Sequence, residues 1–194
     1  MQHPKEERTF LMVKSDGVRK GLIGETVKRL EQRDLKITAL EMFHATREQA
    51  DKHYPKDEEW IIGIGNKTLS TYEKYNLDPR AELGTKDALE IGKLIRAWLM
   101  DYLTDAPMVR IVVQGVHAID MVRKIVGNTL PFKAEMGTIR GDFSVDSPVL
   151  ANKEKRAVFN IVHASATPEE AEYEIKFWFG SAPIYDYKRF GVDE

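Results

Sequence analysis

Three short segments of this chain hold the residue types best able to do chemistry. Lys14-Ser15-Asp16-Gly17-Val18 follows an apolar run, Gly137-Thr138-Ile139-Arg140-Gly141-Asp142-Phe143 lies in a long polar stretch, and Asn160-Ile161-Val162-His163-Ala164-Ser165 ends another apolar run. Neutral imidazole is a good nucleophile. At an ordinary pKa near 6.5, about three quarters of an exposed histidine is neutral at pH 7. Lysine offers a point charge and arginine a planar fork, and both suit phosphate. Arg140 stands between two nearby glycines, where a charge without a packing role is placed to bind something. Glu174 falls close to the apolar stripe Ala171, Ile175 and Trp178, an unusual place for a carboxylate and one that calls for a partner. Plainer readings exist for each residue taken alone. His163 would be a satisfied strand-end histidine, Lys14 a solvated turn lysine, Arg123 beside Lys124 a surface charge, and Thr129 a turn former.

These segments need elements to hold them. Thr9 to Val13 predicts a strand that stops at the Lys14–Gly17 turn cluster. Leu22, Ile23, Val27 and Leu30 recur at helical spacing. Lys36 to His44 alternates with apolar residues on both faces, which predicts a central strand. Thr46 to Gln49 reads as a capping box that opens a helix. Val109 to Gln114 predicts a strand, His117 to Val126 a helix, and Ala157 to His163 a fourth strand. Thr167-Pro168-Glu169-Glu170 starts a last helix, with Thr as cap and Pro at its first position. Strand and helix therefore alternate four times. Two stretches stand outside that rhythm: 56–105, with helices around Trp60 to Tyr75 and Ala88 to Leu103, and 127–155, rich in Gly, Pro, Asp and Ser.

Composition narrows the function classes. The 194 residues suit one domain, and 42% hydrophobic content supplies a sizeable core. Basic and acidic residues, 29 and 31, nearly cancel to a net charge of −2, which argues against binding nucleic acid by bulk positive charge. The absence of cysteine excludes disulfides, thiolate metal sites and cysteine nucleophiles. The five histidines show no metal-ligand spacing. Gly65-Asn66-Lys67-Thr68 ends like a phosphate loop, but the first glycine of that motif is not at the required spacing and no strand precedes it. The polar start of the chain and the lack of any apolar run near ~18 residues predict a soluble, cytoplasmic protein without a membrane span.

Taken in order, the segments RTFLMVKSDGVRKGLIG, HY, VRKIVGNTLP, GTIRGDF and NIVHAS, followed by a glutamate in the closing helix, resemble the nucleoside diphosphate kinase family over most of the chain. The resemblance implies a phosphotransferase that moves the γ-phosphate of a nucleoside triphosphate to a nucleoside diphosphate by a Mg²⁺-dependent ping-pong mechanism. His163 would carry the phosphoryl group, with Ser165 and Glu174 positioning it. Lys14, Arg123 and Arg140 would meet the phosphates, Thr129 would donate a hydrogen bond to them, and Asn160 would contact the sugar and phosphate region. Tyr54 would shape the pocket, and Trp60 is the candidate to stack on the base. No protein metal ligand is expected, because Mg²⁺ would sit mainly on the nucleotide phosphates. Phosphoryl transfer rests on positioning and electrostatics. Each cation ~4 Å from a phosphate oxygen contributes roughly 4 kcal/mol at an effective dielectric of 20, before desolvation.

The implied fold is a ferredoxin-like α+β sandwich, an α/β protein with four antiparallel strands and helices on one face. It would form a single domain over 1–194, with a helical insertion at about 56–105 and an extended loop at about 127–156. The implied partners are nucleoside di- and triphosphates, and further copies of the chain in a hexamer or tetramer built from dimers, with no membrane and no dedicated nucleic-acid partner. The chain departs from the family pattern in places. Ser15 replaces the usual proline after the lysine, Ala166 replaces the usual aspartate after Ser165, and 144–155 is enlarged. Two competing readings are an RNA-binding module, which would need exposed aromatics on the sheet, and a nucleotide binder that no longer turns over.

Overall fold

The computed structural model describes residues 6–189. In chain order they form β1 (Glu6–Val13), α1 (Ser15–Arg19), α2 (Ile23–Glu31), β2 (Lys36–Phe43), α3 (Arg47–His53), α4 (Glu58–Lys74), α5 (Pro79–Leu83), α6 (Ala88–Thr104), β3 (Met108–Val116) and α7 (Ala118–Val126). A 3₁₀ turn (Pro131–Lys133), α8 (Ile139–Phe143), α9 (Pro148–Lys153), β4 (Val162–Ala164) and α10 (Pro168–Phe179) follow. The chain divides into two compact units. Among the described residues, one comprises 6–43, 107–144 and 160–189, and the other 44–106 and 145–159.

The first unit holds a four-stranded antiparallel sheet in the order β2-β3-β1-β4, the ferredoxin-like arrangement. Alternation along β1 sorts its side chains onto two faces. Leu11 and Val13, with Val109, Ile111 and Val113 of β3, pack against Leu22, Leu30, Val122 and Val126 from the α2 and α7 side. Each such side chain contributes about 1.5–3 kcal/mol through burial. Phe10 faces the opposite way and stacks on Trp178 of α10 at 6.4 Å between ring centroids. Helices therefore cover both faces rather than one. The last helix carries the large aromatic Trp178, which needs an apolar surface, and Phe10 and Phe43 supply it. That cover also occupies the sheet face an RNA-binding module would use.

β2 lies at the sheet edge and not in the middle. Its two apolar faces reflect a bulge between Ile37 and Ala39 and an exposed pair, Leu40 and Met42. The segment around Tyr185 and Tyr187 covers part of that edge. Tyr185 N–H donates to Thr38 O at 2.9 Å, and the Tyr187 hydroxyl donates to Ile37 O at 2.9 Å. β4 is shorter than its sequence predicts, because the stretch before Val162 leaves the ladder for other partners. The long stretch 127–155 contains the 3₁₀ turn, α8 and α9, each too short for a periodic apolar stripe to signal.

In the second unit, α4 and α6 pack along each other at glycine contacts. A Cβ on Gly65 would meet Ala88 O at 1.9 Å, and one on Gly92 would meet Ile61 O at 2.0 Å. The loop-like GNKT segment is thus the middle of α4, where Gly65 serves helix packing. Thr46 caps α3 in the predicted box, accepting from Gln49 N–H while the Gln49 side chain accepts from Thr46 N–H.

Candidate active site

β1 and β4 bring two of the three chemical segments together. Met12 pairs with His163 and Val13 with Val162, so the end of β1 delivers Lys14 beside the histidine strand. Lys14 N–H donates to Ile161 O at 2.8 Å, and its ammonium donates to Asn160 Oδ1 at 2.9 Å. Asn160 in turn donates through Nδ2 to Thr129 O at 3.1 Å. Three separate stretches are therefore tied by one asparagine.

Ile161 has φ of 67°, a left-handed conformation that is costly for a β-branched residue. Its surroundings enforce it. Ile161 N–H donates to the Asp16 carboxylate at 3.0 Å, and its carbonyl accepts from Lys14. Gly17 allows the approach, since a Cβ there would lie 2.8 Å from Ile161 O. Asp16 and Gly17, read from the sequence only as turn formers, thus hold the kink that precedes His163.

His163 sits beside Phe10, 6.1 Å between ring centroids, with its side chain 22% exposed. Its Nε2 meets both oxygens of Glu174, at 2.7 and 2.9 Å. The Ser165 hydroxyl donates to the same carboxylate at 2.6 Å. Glu174 is 3% exposed, and the partner its position demanded is this pair. An ionised carboxylate only accepts, so it fixes the proton on Nε2 and the ring lone pair on Nδ1.

Arg140 has a packing role that its place between two glycines does not suggest. It is 5% exposed and packed, with Nε donating to Asn160 O at 3.0 Å, Nη1 to Gly127 O at 2.7 Å and Nη2 to Val162 O at 2.6 Å. It staples the α7–α8 connection to the strand that carries His163. Its charge is nonetheless felt at the site. Burial pushes the Lys14 ammonium down to about 8, and Arg140 pushes in the same direction, while Asp16 and Glu174 oppose them. Two cations are thus held close enough to disfavour each other, an arrangement that a polyanion relieves. Arg123 is exposed in the last turn of α7, and Thr129 is exposed just beyond it. The remaining predicted residues, Tyr54 and Trp60, belong to the second unit. Tyr54 closes α3 and packs its ring edge-on to His53 at 4.9 Å, while Trp60 lies in the first turn of α4, where its backbone N–H donates to the Asp57 carboxylate.

A sequence model of the nucleoside diphosphate kinase family matches residues 7–60 and 92–184. The chain belongs to this family. A nucleoside diphosphate kinase of Pyrobaculum aerophilum is 49% identical over 180 residues, covering 93% of this chain and 98% of that one. One of Archaeoglobus fulgidus is 36% identical over 187 residues, covering 96% and 95%. Among solved structures, an NDP kinase from Pyrobaculum aerophilum matches with a TM-score of 0.88 at 46% identity, covering 94% of this chain and all of that one. A transition-state mimic of the Borrelia burgdorferi kinase with bound vanadate and ADP matches with a TM-score of 0.72 at 32% identity, covering 95% and 94%. Residues 61–91, which the family match omits, comprise α4 beyond Trp60, α5 and the start of α6.

Proposed function

We propose that His163 is the phosphoryl carrier in the reaction of this family, the transfer of a γ-phosphate from a nucleoside triphosphate to a nucleoside diphosphate. The observation that carries the assignment is the Glu174–His163 contact through Nε2, which leaves the nucleophilic lone pair on Nδ1. Nδ1 attacks the γ-phosphorus, the bond from that phosphorus to the β,γ-bridging oxygen breaks, and the nucleoside diphosphate leaves. A β-phosphate oxygen of a second diphosphate then attacks the phosphohistidine, and the ring returns to its starting form. Ser165 and Glu174 keep the ring oriented through both halves.

Lys14 and Arg140, with Arg123 and Thr129 at the end of α7, would receive the phosphates, and Asn160 the sugar and phosphate region. Tyr54 would shape the pocket and Trp60 would stack on the base. The donor set fits the phosphates of a metal-bound nucleotide, since the Lys14 and Arg140 cations are held near each other beside the histidine strand. A Mg²⁺ ion carried on the nucleotide would neutralise phosphate charge during the transfer. The reading includes a single kinase-like domain with its insertion at about 56–105, a homo-oligomer built from dimers, and a cytoplasmic location. No helix among the described residues is long and apolar enough to cross a membrane.

The test is a two-step exchange. Incubation with Mg²⁺ and labelled nucleoside triphosphate, removal of free nucleotide and addition of unlabelled diphosphate should release labelled triphosphate. His163→Ala should abolish both steps. Tight nucleotide binding without exchange would mark a protein that has lost turnover.

A further inference from the structure

The second unit holds an arginine that none of the sequence motifs includes. Arg96 lies in the middle of α6, with its side chain 15% exposed. Its guanidinium closes over the end of α3. Nε donates to Pro55 O at 2.9 Å, while Nη2 donates to Asp51 O at 3.0 Å and Tyr54 O at 3.2 Å. The same Nη2 lies 2.8 Å from the Asp51 carboxylate. Lys56 also donates to that carboxylate, and the two cations hold the Asp51 carboxyl below the usual carboxylate range.

A helix end leaves its last carbonyls without intrahelical partners, and water ordinarily satisfies them. Here one cation from a neighbouring helix satisfies three carbonyls across residues 51–55. The planar fork is rigid, so the turn that carries Tyr54 is fixed to α6 in one geometry. Tyr54 N–H closes the same turn onto Ala50 O at 3.2 Å.

We propose that Arg96 is a positioning residue for nucleotide binding, acting through Tyr54. The inference rests on the reading of Tyr54 as a residue that shapes the pocket. Arg96 preorganises the Tyr54 turn before nucleotide arrives, so its loss weakens binding equally in the ground state and the transition state. It does not touch the phosphoryl transfer itself.

The experiment is single-turnover phosphorylation of the whole chain across a range of ATP·Mg²⁺ concentrations. Arg96→Met, which keeps much of the stem, should raise the half-saturating concentration about tenfold while the plateau rate changes less than about twofold. Arg96→Lys should restore part of the affinity, because an ammonium reaches some of the carbonyls. In a Tyr54→Ala background, Arg96→Met should add nothing further. A purely structural role would lower thermal stability and the active fraction without moving half-saturation. Unchanged half-saturation in Arg96→Met, with a raised value in Tyr54→Ala, would overturn the role of Arg96 alone. Unchanged half-saturation in Tyr54→Ala would remove the reading beneath it. Additive losses in the double variant would also overturn the coupling.

Discussion

The carboxylate of Glu174 spans Nε2 of His163, with one oxygen at 2.7 Å and the other at 2.9 Å. This contact does two jobs at once. It aims the ring, and it decides which nitrogen keeps its lone pair. The Ser165 hydroxyl, at 2.6 Å from one of those oxygens, holds the carboxylate in place.

Glu174→Gln keeps the shape and removes the charge. A hydrogen bond to a charged group contributes about 1.5–3 kcal/mol, so kcat should fall roughly ten- to a hundredfold. The loss should appear in the phosphorylation step measured by rapid quench. A variant that keeps full rate would show that the carboxylate is only a packing group.

Lys14 gives a pH dependence with a definite sign. Its ammonium titrates at about 8 in the folded chain, against an ordinary 10.5. Between those values the unfolded chain binds the extra proton, so this group makes the fold more stable as pH rises from about 8 to 10.5, by at most about 3 kcal/mol. Lys14→Met should lack that rise, as denaturant titrations of the two proteins at pH 7 and pH 10 would reveal. Nucleotide binding runs the other way. Phosphate favours the charged form, so binding above pH 8 should take up a proton and weaken by up to about tenfold per pH unit. Calorimetry in two buffers of different ionisation enthalpy measures that proton directly.

Gly17→Ala should be costly although it adds a single methyl group. The new Cβ would stand 2.8 Å from Ile161 O, a backbone atom already tied to Lys14. We expect a loss of about 1–3 kcal/mol on unfolding, together with weaker nucleotide binding, because relief requires the Lys14 turn to move from Asn160–Ile161. A variant with wild-type stability and affinity would mean that the turn gives way freely.

Asp16→Ala strands the buried N–H of Ile161, which then loses its carboxylate partner. Such a group costs about 1–3 kcal/mol. The variant should melt earlier and phosphorylate more slowly, whereas Asp16→Asn, whose side-chain oxygen can still accept, should recover most of the stability. Equal losses for the two would show that charge and not hydrogen bonding matters at this position.

Glu174 and the capped helices could be read from the sequence because each breaks or fulfils a local rule. A glutamate close to an apolar stripe demands a partner, and the box at Thr46 and the Thr-Pro cap at Thr167 mark α3 and α10. β4 was harder, since Ala157 to His163 alternates like a strand while the left-handed Ile161 and its bond to Asp16 divert the chain before Val162. The packing role of Arg140 is hidden for a related reason. Flanking glycines suggest an open loop, yet Gly141 marks tight packing, where a Cβ would meet Glu135 O at 2.1 Å. The edge position of β2 depends on pairing across the sheet, which no local pattern encodes. Arg96 left no trace in any motif, because its contacts come from where two helices meet.

Isolating the phosphoprotein after exposure to labelled ATP and assigning its phosphohistidine isomer by NMR tests the central claim most directly. The Glu174 contact predicts one acid-labile, alkali-stable phosphoryl group on Nδ1 of His163, absent from His163→Ala. Phosphate on Nε2, on another residue, or equally present in His163→Ala would contradict the account.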